Sequence, residues 1–362
     1  MTEELKDWFD AAFFRDLAGH VRARYRPFPA DRFVADALEG LDALSLMARL
    51  ERAALLLGRH LPQDYGKALA VVSDVVPHYS GQFRALLGPA FVARHGRHDP
   101  DRSLDALARM TVHGSSEFAV RHFLRDDFEG TLAVMRGWAD DGNHHVRRLA
   151  SEGCRPRLPW SFRLERLVAD PGPAIPILER LRADPEAYVR TSVANHLNDI
   201  AKDHPERMLD LVSGWDRADP ATAWIVRHAC RTLIKAGHPR ALALHGFGDR
   251  PHVEIADLSV TPAAVPWAGM ATIAFELVST ARGNQRLAVD YIVHYVKADG
   301  SRSPKVFKLR ELELAAGQRQ ALSVRRSMAQ RTTRRHYPGL HRVEIQVNGV
   351  VCAGIDFALL AP

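Results

Sequence analysis

An all-helical repeat array followed by an all-β sandwich is predicted, because two properties of the chain change at the same place. Up to about Phe247, apolar residues recur at helical spacing, as in Leu46, Leu50, Ala53 and Leu57 or Ile177, Leu178 and Leu181, with breaks at proline or glycine. After Arg250 they alternate as strand residues do. Charge divides there too. Residues 1–249 hold 34 Lys and Arg against 34 Asp and Glu, whereas residues 250–362 hold 15 against 9, so the whole net charge of +6 falls in the last third. We therefore expect two domains, 1–248 and 249–362, with different tasks.

Within the helical part a weak repeat is visible. Asp141-Gly-Asn-His-His-Val-Arg, Asp184-Pro-Glu-Ala-Tyr-Val-Arg and Asp219-Pro-Ala-Thr-Ala-Trp-Ile-Val-Arg place Val-Arg at 146, 189 and 226. A period near 40 built from helix pairs is the mark of HEAT-like repeats. The Asp-Pro or Asp-Gly turn is expected to cap the second helix of each unit, its carboxylate accepting from first-turn amides. Such units stack into a superhelix whose second helices line a concave face.

The C-terminal part reads as seven short strands, beginning near Val253, Thr272, Ala288, Val306, Ala321, His341 and Val351. With turn signals at Ala298-Asp-Gly and Asn348-Gly, these make an immunoglobulin-like (Ig-like) β-sandwich. It is Ig-like in shape alone, since no Cys-Trp-Cys spacing is present.

The 362 residues are 46% hydrophobic and 25% charged, as in ordinary globular chains. The start, Met-Thr-Glu-Glu-Leu-Lys-Asp-Trp, is acidic with no apolar run behind it, so a cytoplasmic protein without a membrane partner is expected. Cys154, Cys230 and Cys352 are far apart and lack zinc or disulfide spacing. Walker loops and GxGxxG units are absent, so no cofactor and no metal are expected.

The repeat register aligns polar positions. Arg148, Thr191 and His228 are equivalent, and four residues later come Glu152, Asn195 and Thr232, one helical turn away on the same face. Taken alone, Arg148 with Glu152, or Asn195 with Asp199, reads as an exposed surface pair worth roughly 0.3–0.5 kcal/mol. Trp160, after Leu158-Pro159, reads equally well as packing between repeats. Trp138, Trp215 and Trp224 are expected to pack.

Three stretches, Ser115–Leu124, Arg147–Trp160 and Tyr188–Pro205, closely resemble the bacterial AlkC family of HEAT-like-repeat DNA glycosylases, which is related to AlkD. The resemblance covers nearly the whole chain, including an Ig-like domain that AlkD proteins lack. It implies excision of small cationic N-alkylated bases, such as 3-methyladenine and 3-methylcytosine, by a monofunctional enzyme of base excision repair. It also implies that the duplex is wrapped and kinked rather than the base swung into a deep pocket. Position by position it makes Glu117, Glu152, Trp160 and Asp199 catalytic candidates, with Arg148 and Asn195 supporting. The residue types suit that chemistry. Carboxylates stabilise an oxocarbenium-like sugar and can activate water, and an indole face attracts a cation. Asp199 and Glu152 are the first choices for sugar and water, with Glu117 behind them.

The implied partner is double-stranded DNA containing alkylated bases, bound by a monomer. Grip on the backbone is expected from Arg147, Arg190 and Arg227, once per repeat, from Arg155 and Arg157 before Trp160, and from Arg231. The repeated arginines could equally tie one repeat to an Asp in the next. In the sandwich, Arg325, Arg326, Arg331, Arg334 and Arg335 place five arginines in eleven residues between two strands, where they could clamp the far side of a duplex. The rival reading is a non-catalytic HEAT scaffold that binds DNA or a protein.

Overall fold

The structure, a computed structural model, describes residues 5–247, 250–330 and 334–362. Helices occupy the chain up to Leu244, and strands begin at Val253. Packing divides it somewhat differently, into one compact unit of Met1–His204 with Trp215–His228 and a second of Pro205–Gly214 with Ala229–Pro362.

In the first unit, alternate helices stack one on the next: Leu46–His60 on Leu87–His95, then Glu117–Asp126, His144–Gly153 and Ala187–Asp203. Each buries an apolar stripe, for example Val146, Leu149 and Ala150, or Val189, Val193, Leu197 and Ile200. This is the predicted repeat of paired helices, but the turns differ in detail. Asp219 caps its own helix by accepting from the Thr222 amide at 2.7 Å. Asp141 and Asp184 instead accept from amides two residues on, Asn143 and Glu186, and Asn143 becomes the cap of the His144 helix. Trp138 and Trp215 are buried, 8% and 7% exposed. Trp224 departs from expectation at 42% exposed: Ile225, Val226 and Ala229 take the inward side of its helix, and its indole stacks on His228 outside.

The second unit holds two sheets. Strands β1 (Val253–Thr261), β3 (Met270–Ser279) and β6 (Arg319–Ser327) form one, in the order β1-β3-β6. The other runs β2-β8-β7-β4-β5, with β2 (Ala264–Val265), β4 (Gln285–Val296), β5 (Arg302–Leu314), β7 (Gly339–Val347) and β8 (Val350–Leu359). Alternating inward residues such as Leu277, Leu287, Val289, Val293, Ile345 and Val347 fill the space between the sheets. The seven expected strands are present, and the eighth, β2, is a two-residue parallel pairing with β8 too short to leave a pattern. Asn348 and Gly349 both have positive φ, 42° and 78°, as the tight β7–β8 turn requires. A Cβ on Gly349 would also meet the Gly237 Cα at 2.3 Å, so the helical segment 229–247 approaches the sheet at a point where glycine is needed on both sides. Leu242 and Phe247 of that segment pack on Ala288 of β4.

Candidate active site

Glu117 opens its helix, where the exposed amides of the first turn favour an acid. Ser115 Oγ donates to Glu117 Oε2 at 2.8 Å, and Arg148 Nη1 donates to the same oxygen and to Ser115 Oγ. Arg148 comes from the next stacked helix and also reaches Glu152, one turn further on, with Nη2 3.4 Å from Oε1. The surface pair expected from spacing is thus nearly buried, at 13% and 7% side-chain exposure. The third stacked helix presents Ser192, whose Oγ donates to Glu152 Oε2 at 2.6 Å. Seven residues on, on the same face, stands Asp199, 2% exposed. Asn195, half-buried, lies between them on that face.

Arg155 completes the chain. It was expected on the DNA backbone, but the structure turns it inward, 7% exposed. Its Nη1 donates to Glu152 at 2.6 Å, and its Nε and Nη2 both lie 2.8 Å from Asp199 Oδ2. Burial opposes its charge, but Glu152 and Asp199 outweigh that and hold the guanidinium pKa above its ordinary value. Lys202 Nζ donates to the other Asp199 oxygen at 2.9 Å. Three acids and two arginines therefore alternate, Glu117, Arg148, Glu152, Arg155, Asp199, across three helices and a loop.

That loop is shaped from below. Arg121 is fully buried and donates to the carbonyls of Gly153 (3.1 Å), Arg155 (2.7 Å) and Phe162. Burial pushes its guanidinium down to about 10. The fixed loop carries Trp160 in the left-handed region, φ 64°, a conformation costing about 1–2 kcal/mol that the surrounding bonds must hold. Its indole is 68% exposed, edge-on to Phe83 at 6.5 Å, so it is not a packing residue.

Trp160, Glu117, Glu152, Arg155, His145 and Tyr188 line one cleft of about 510 Å³. Asp199 does not line it and reaches it through Arg155. Sequence reasoning missed Tyr188 and His145, which occupy the residue before Val-Arg in successive repeats. Tyr188 is 45% exposed, with the Arg148 guanidinium 5.0 Å from its ring centre. Burial, helped by His144 and Arg148, lowers the His145 pKa, which favours the neutral ring.

The arginines expected on DNA fare differently. Arg147 binds Asp184 of the next repeat through Nε (2.6 Å) and Nη2 (3.2 Å), and its Nη1 donates to the carbonyls of Asp141 and Gly142. Arg190 repeats the device on Asp184 and Pro185. Both are braces, because a guanidinium five or six residues past a turn can fold back onto its carbonyls. Arg157 is paired bidentately with Asp203, both bonds 2.7 Å. Arg227 and Arg231 lie on separate helices, Pro220–Ala229 and Arg231–Lys235. In the sandwich, Arg325 and Arg326 belong to β6 rather than to a loop, Arg325 exposed and Arg326 stacked over Phe307 at 3.6 Å. Arg334 lies over Tyr295 at 4.2 Å and Arg335 over Tyr337 at 5.7 Å. Arg331 falls outside the described residues. Arg334, burial, Arg326 and Lys235 together lower the Lys305 pKa, so like charges crowd this part of the unit.

Among the described residues no His, Cys, Asp and Glu group could hold a metal, the three cysteines are free, and no helix is long and apolar enough to cross a membrane.

Comparison with known proteins adds a name to this arrangement. Residues 104–233 match the family described as DNA alkylation repair enzyme, and residues 254–361 match the C-terminal Ig-like domain of the uncharacterised protein YhaZ. The chain is 38% identical to the uncharacterized protein YhaZ of Bacillus subtilis (strain 168) over 98% of its own length and 99% of the relative's. It is 46% identical, over 99% of its length and all of the other chain, to Pseudomonas fluorescens alkylpurine DNA glycosylase AlkC bound to DNA containing an abasic site analog, with a TM-score of 0.96. Fold and matches together define a DNA-alkylation-repair protein of helical repeats with an appended Ig-like domain. The chain belongs to the AlkC family.

Proposed function

We propose that this protein is a monofunctional DNA glycosylase that excises cationic N-alkylated bases, 3-methylcytosine and 3-methyladenine among them, from duplex DNA. The observation that carries the reading is the alternating row from Glu117 to Asp199 opening on a cleft edged by the exposed faces of Trp160 and Tyr188. An N3-methylated base already bears positive charge, so its C1′–N bond breaks with the electron pair leaving on a base that departs neutral. Positive charge then grows on the deoxyribose. Glu117 and Glu152 face that charge, and Asp199 adds to the field at one remove. A water oxygen bonds to C1′ and its proton passes to a carboxylate. Glu117 suits this step, because among the described residues the hydrogen bonds to its carboxylate all reach Oε2. Trp160 and Tyr188 offer π faces to the cationic base. Arg325, Arg326, Arg334 and Arg335, with Lys305, supply a cationic surface for phosphates.

Single-turnover release of free base from duplexes carrying one 3-methylcytosine or 3-methyladenine tests this, with wild type beside Asp199→Ala and Glu152→Ala. Release by wild type, an abasic strand left uncut until alkali is added, and loss in both variants is the expected result. No release with tight, salt-sensitive binding would instead make the protein a DNA-binding scaffold.

A further inference from the structure

We infer that Arg155 is a positioning residue for excision, one guanidinium that sets the mutual geometry of Glu152 and Asp199. The inference rests on the glycosylase reading above. Glu152 sits at the end of the His144–Gly153 helix and Asp199 deep in the Ala187–Asp203 helix; the two helices pack together and Ser192 ties Glu152 to the second, but that contact does not by itself set the angle between the two carboxylates. Arg155 does so from a third place, the loop after Gly153. Its planar fork donates in fixed directions, Nη1 to Glu152 at 2.6 Å and the Nε–Nη2 edge to Asp199 at 2.8 Å.

The fork is itself immobilised. Its own carbonyl accepts from Arg121 at 2.7 Å, so the backbone that aims it is held by a buried residue of the Glu117 helix. The other Glu152 oxygen is held by Ser192, and the other Asp199 oxygen by Lys202. Arg155 is therefore the constraint shared by Glu152 and Asp199, since Ser192 and Lys202 each hold one of these two acids and Arg148 joins Glu152 to Glu117 instead. Lysine keeps the charge but, as a point donor, cannot present two fixed edges to two carboxylates. A phosphate contact would need an outward guanidinium, and this one is 7% exposed.

The test compares Arg155→Lys, which retains the charge, with Arg155→Ala supplemented with millimolar ethylguanidinium. Single-turnover excision, binding to abasic-site duplex and its salt dependence, and thermal melting are measured on the full chain. The expected result is a 10- to 100-fold slower excision by R155K with abasic-DNA affinity within about 3-fold of wild type, and partial recovery of R155A by ethylguanidinium. Unchanged excision with weakened binding and a salt slope shallower by about one would make Arg155 a phosphate contact and overturn the inference. Excision lost only in proportion to the folded fraction, without rescue, would make it a core brace and overturn it as well. Wild-type excision rates in Glu152→Ala and Asp199→Ala would sink the catalytic reading itself, whatever Arg155 does.

Discussion

Arg148 lies over the ring of Tyr188, its guanidinium carbon 5.0 Å from the ring centre, and Tyr188 in turn lines the cleft with Glu117, Glu152 and Trp160. The contact shows that this ring offers a π face to a cation, the property a cationic base would use. Replacing Tyr188 with Phe keeps the π face, and excision of a cationic base should stay within about 2-fold of wild type. Tyr188→Ala should slow it roughly 2- to 30-fold, the equivalent of about 0.5–2 kcal/mol of cation–π attraction. Single-turnover rates of the two variants decide the point: equal loss in both would assign the role to the hydroxyl.

Glu152 accepts from Ser192 and Arg155 at 5% exposure. Glu152→Ala leaves a buried guanidinium without one of its acceptors, and such removals cost about 3–5 kcal/mol. Urea unfolding should show that loss for the alanine variant and a smaller one for Glu152→Gln, which still accepts from Ser192. A stability equal to wild type in E152A would contradict the buried pairing.

Arg147 spans two repeats by binding Asp184, whereas Lys305 and Arg334 crowd together in the sandwich. Arg147→Ala should therefore lower the melting temperature and leave the salt dependence of DNA binding unchanged. Lys305→Ala and Arg334→Ala should each flatten the slope of log K against log salt by about one, with little change in melting. The reverse assignment of effects would show that the phosphate contacts have been misplaced.

His196 is fully buried, with Nδ1 donating to the Ser151 carbonyl at 3.0 Å, and burial lowers its pKa from 6.5 to about 4. The unfolded chain takes up this proton near pH 6.5 and the folded one resists until about 4. Its contribution is thus complete above pH 6.5 and is lost as the pH falls toward 4, by roughly 3 kcal/mol. His196→Asn keeps a donor for Ser151 and removes the titration. Its unfolding free energy should change less between pH 7 and 4.5 than that of wild type.

The helices and the strands were legible because buried stripes leave periods of 3.6 and 2 in the chain. The acids at 117, 152 and 199 were reached through resemblance, and spacing alone suggested surface pairs for those at 152 and 199. What periodicity cannot convey is the direction of a side chain outside a helix. Arg155 follows Gly153 in a loop, so nothing in its neighbours distinguishes inward from outward. Arg147 and Arg190 occupy helix positions that could face solvent, but their length lets them return to the turn they follow. Trp224 and Tyr188 show the converse, large aromatics whose helices already fill the core with smaller apolar residues.

Arg121 takes the carbonyls of Gly153, Arg155 and Phe162, main-chain atoms that every amino acid carries. The course of the loop is consequently dictated by a neighbouring helix and is nearly indifferent to which side chains the loop displays. Its outward position at 160 can be exchanged for another residue able to tolerate the left-handed backbone while Arg155 stays on its two acids. The side chain displayed at the rim can therefore change without dismantling the charged row beneath it.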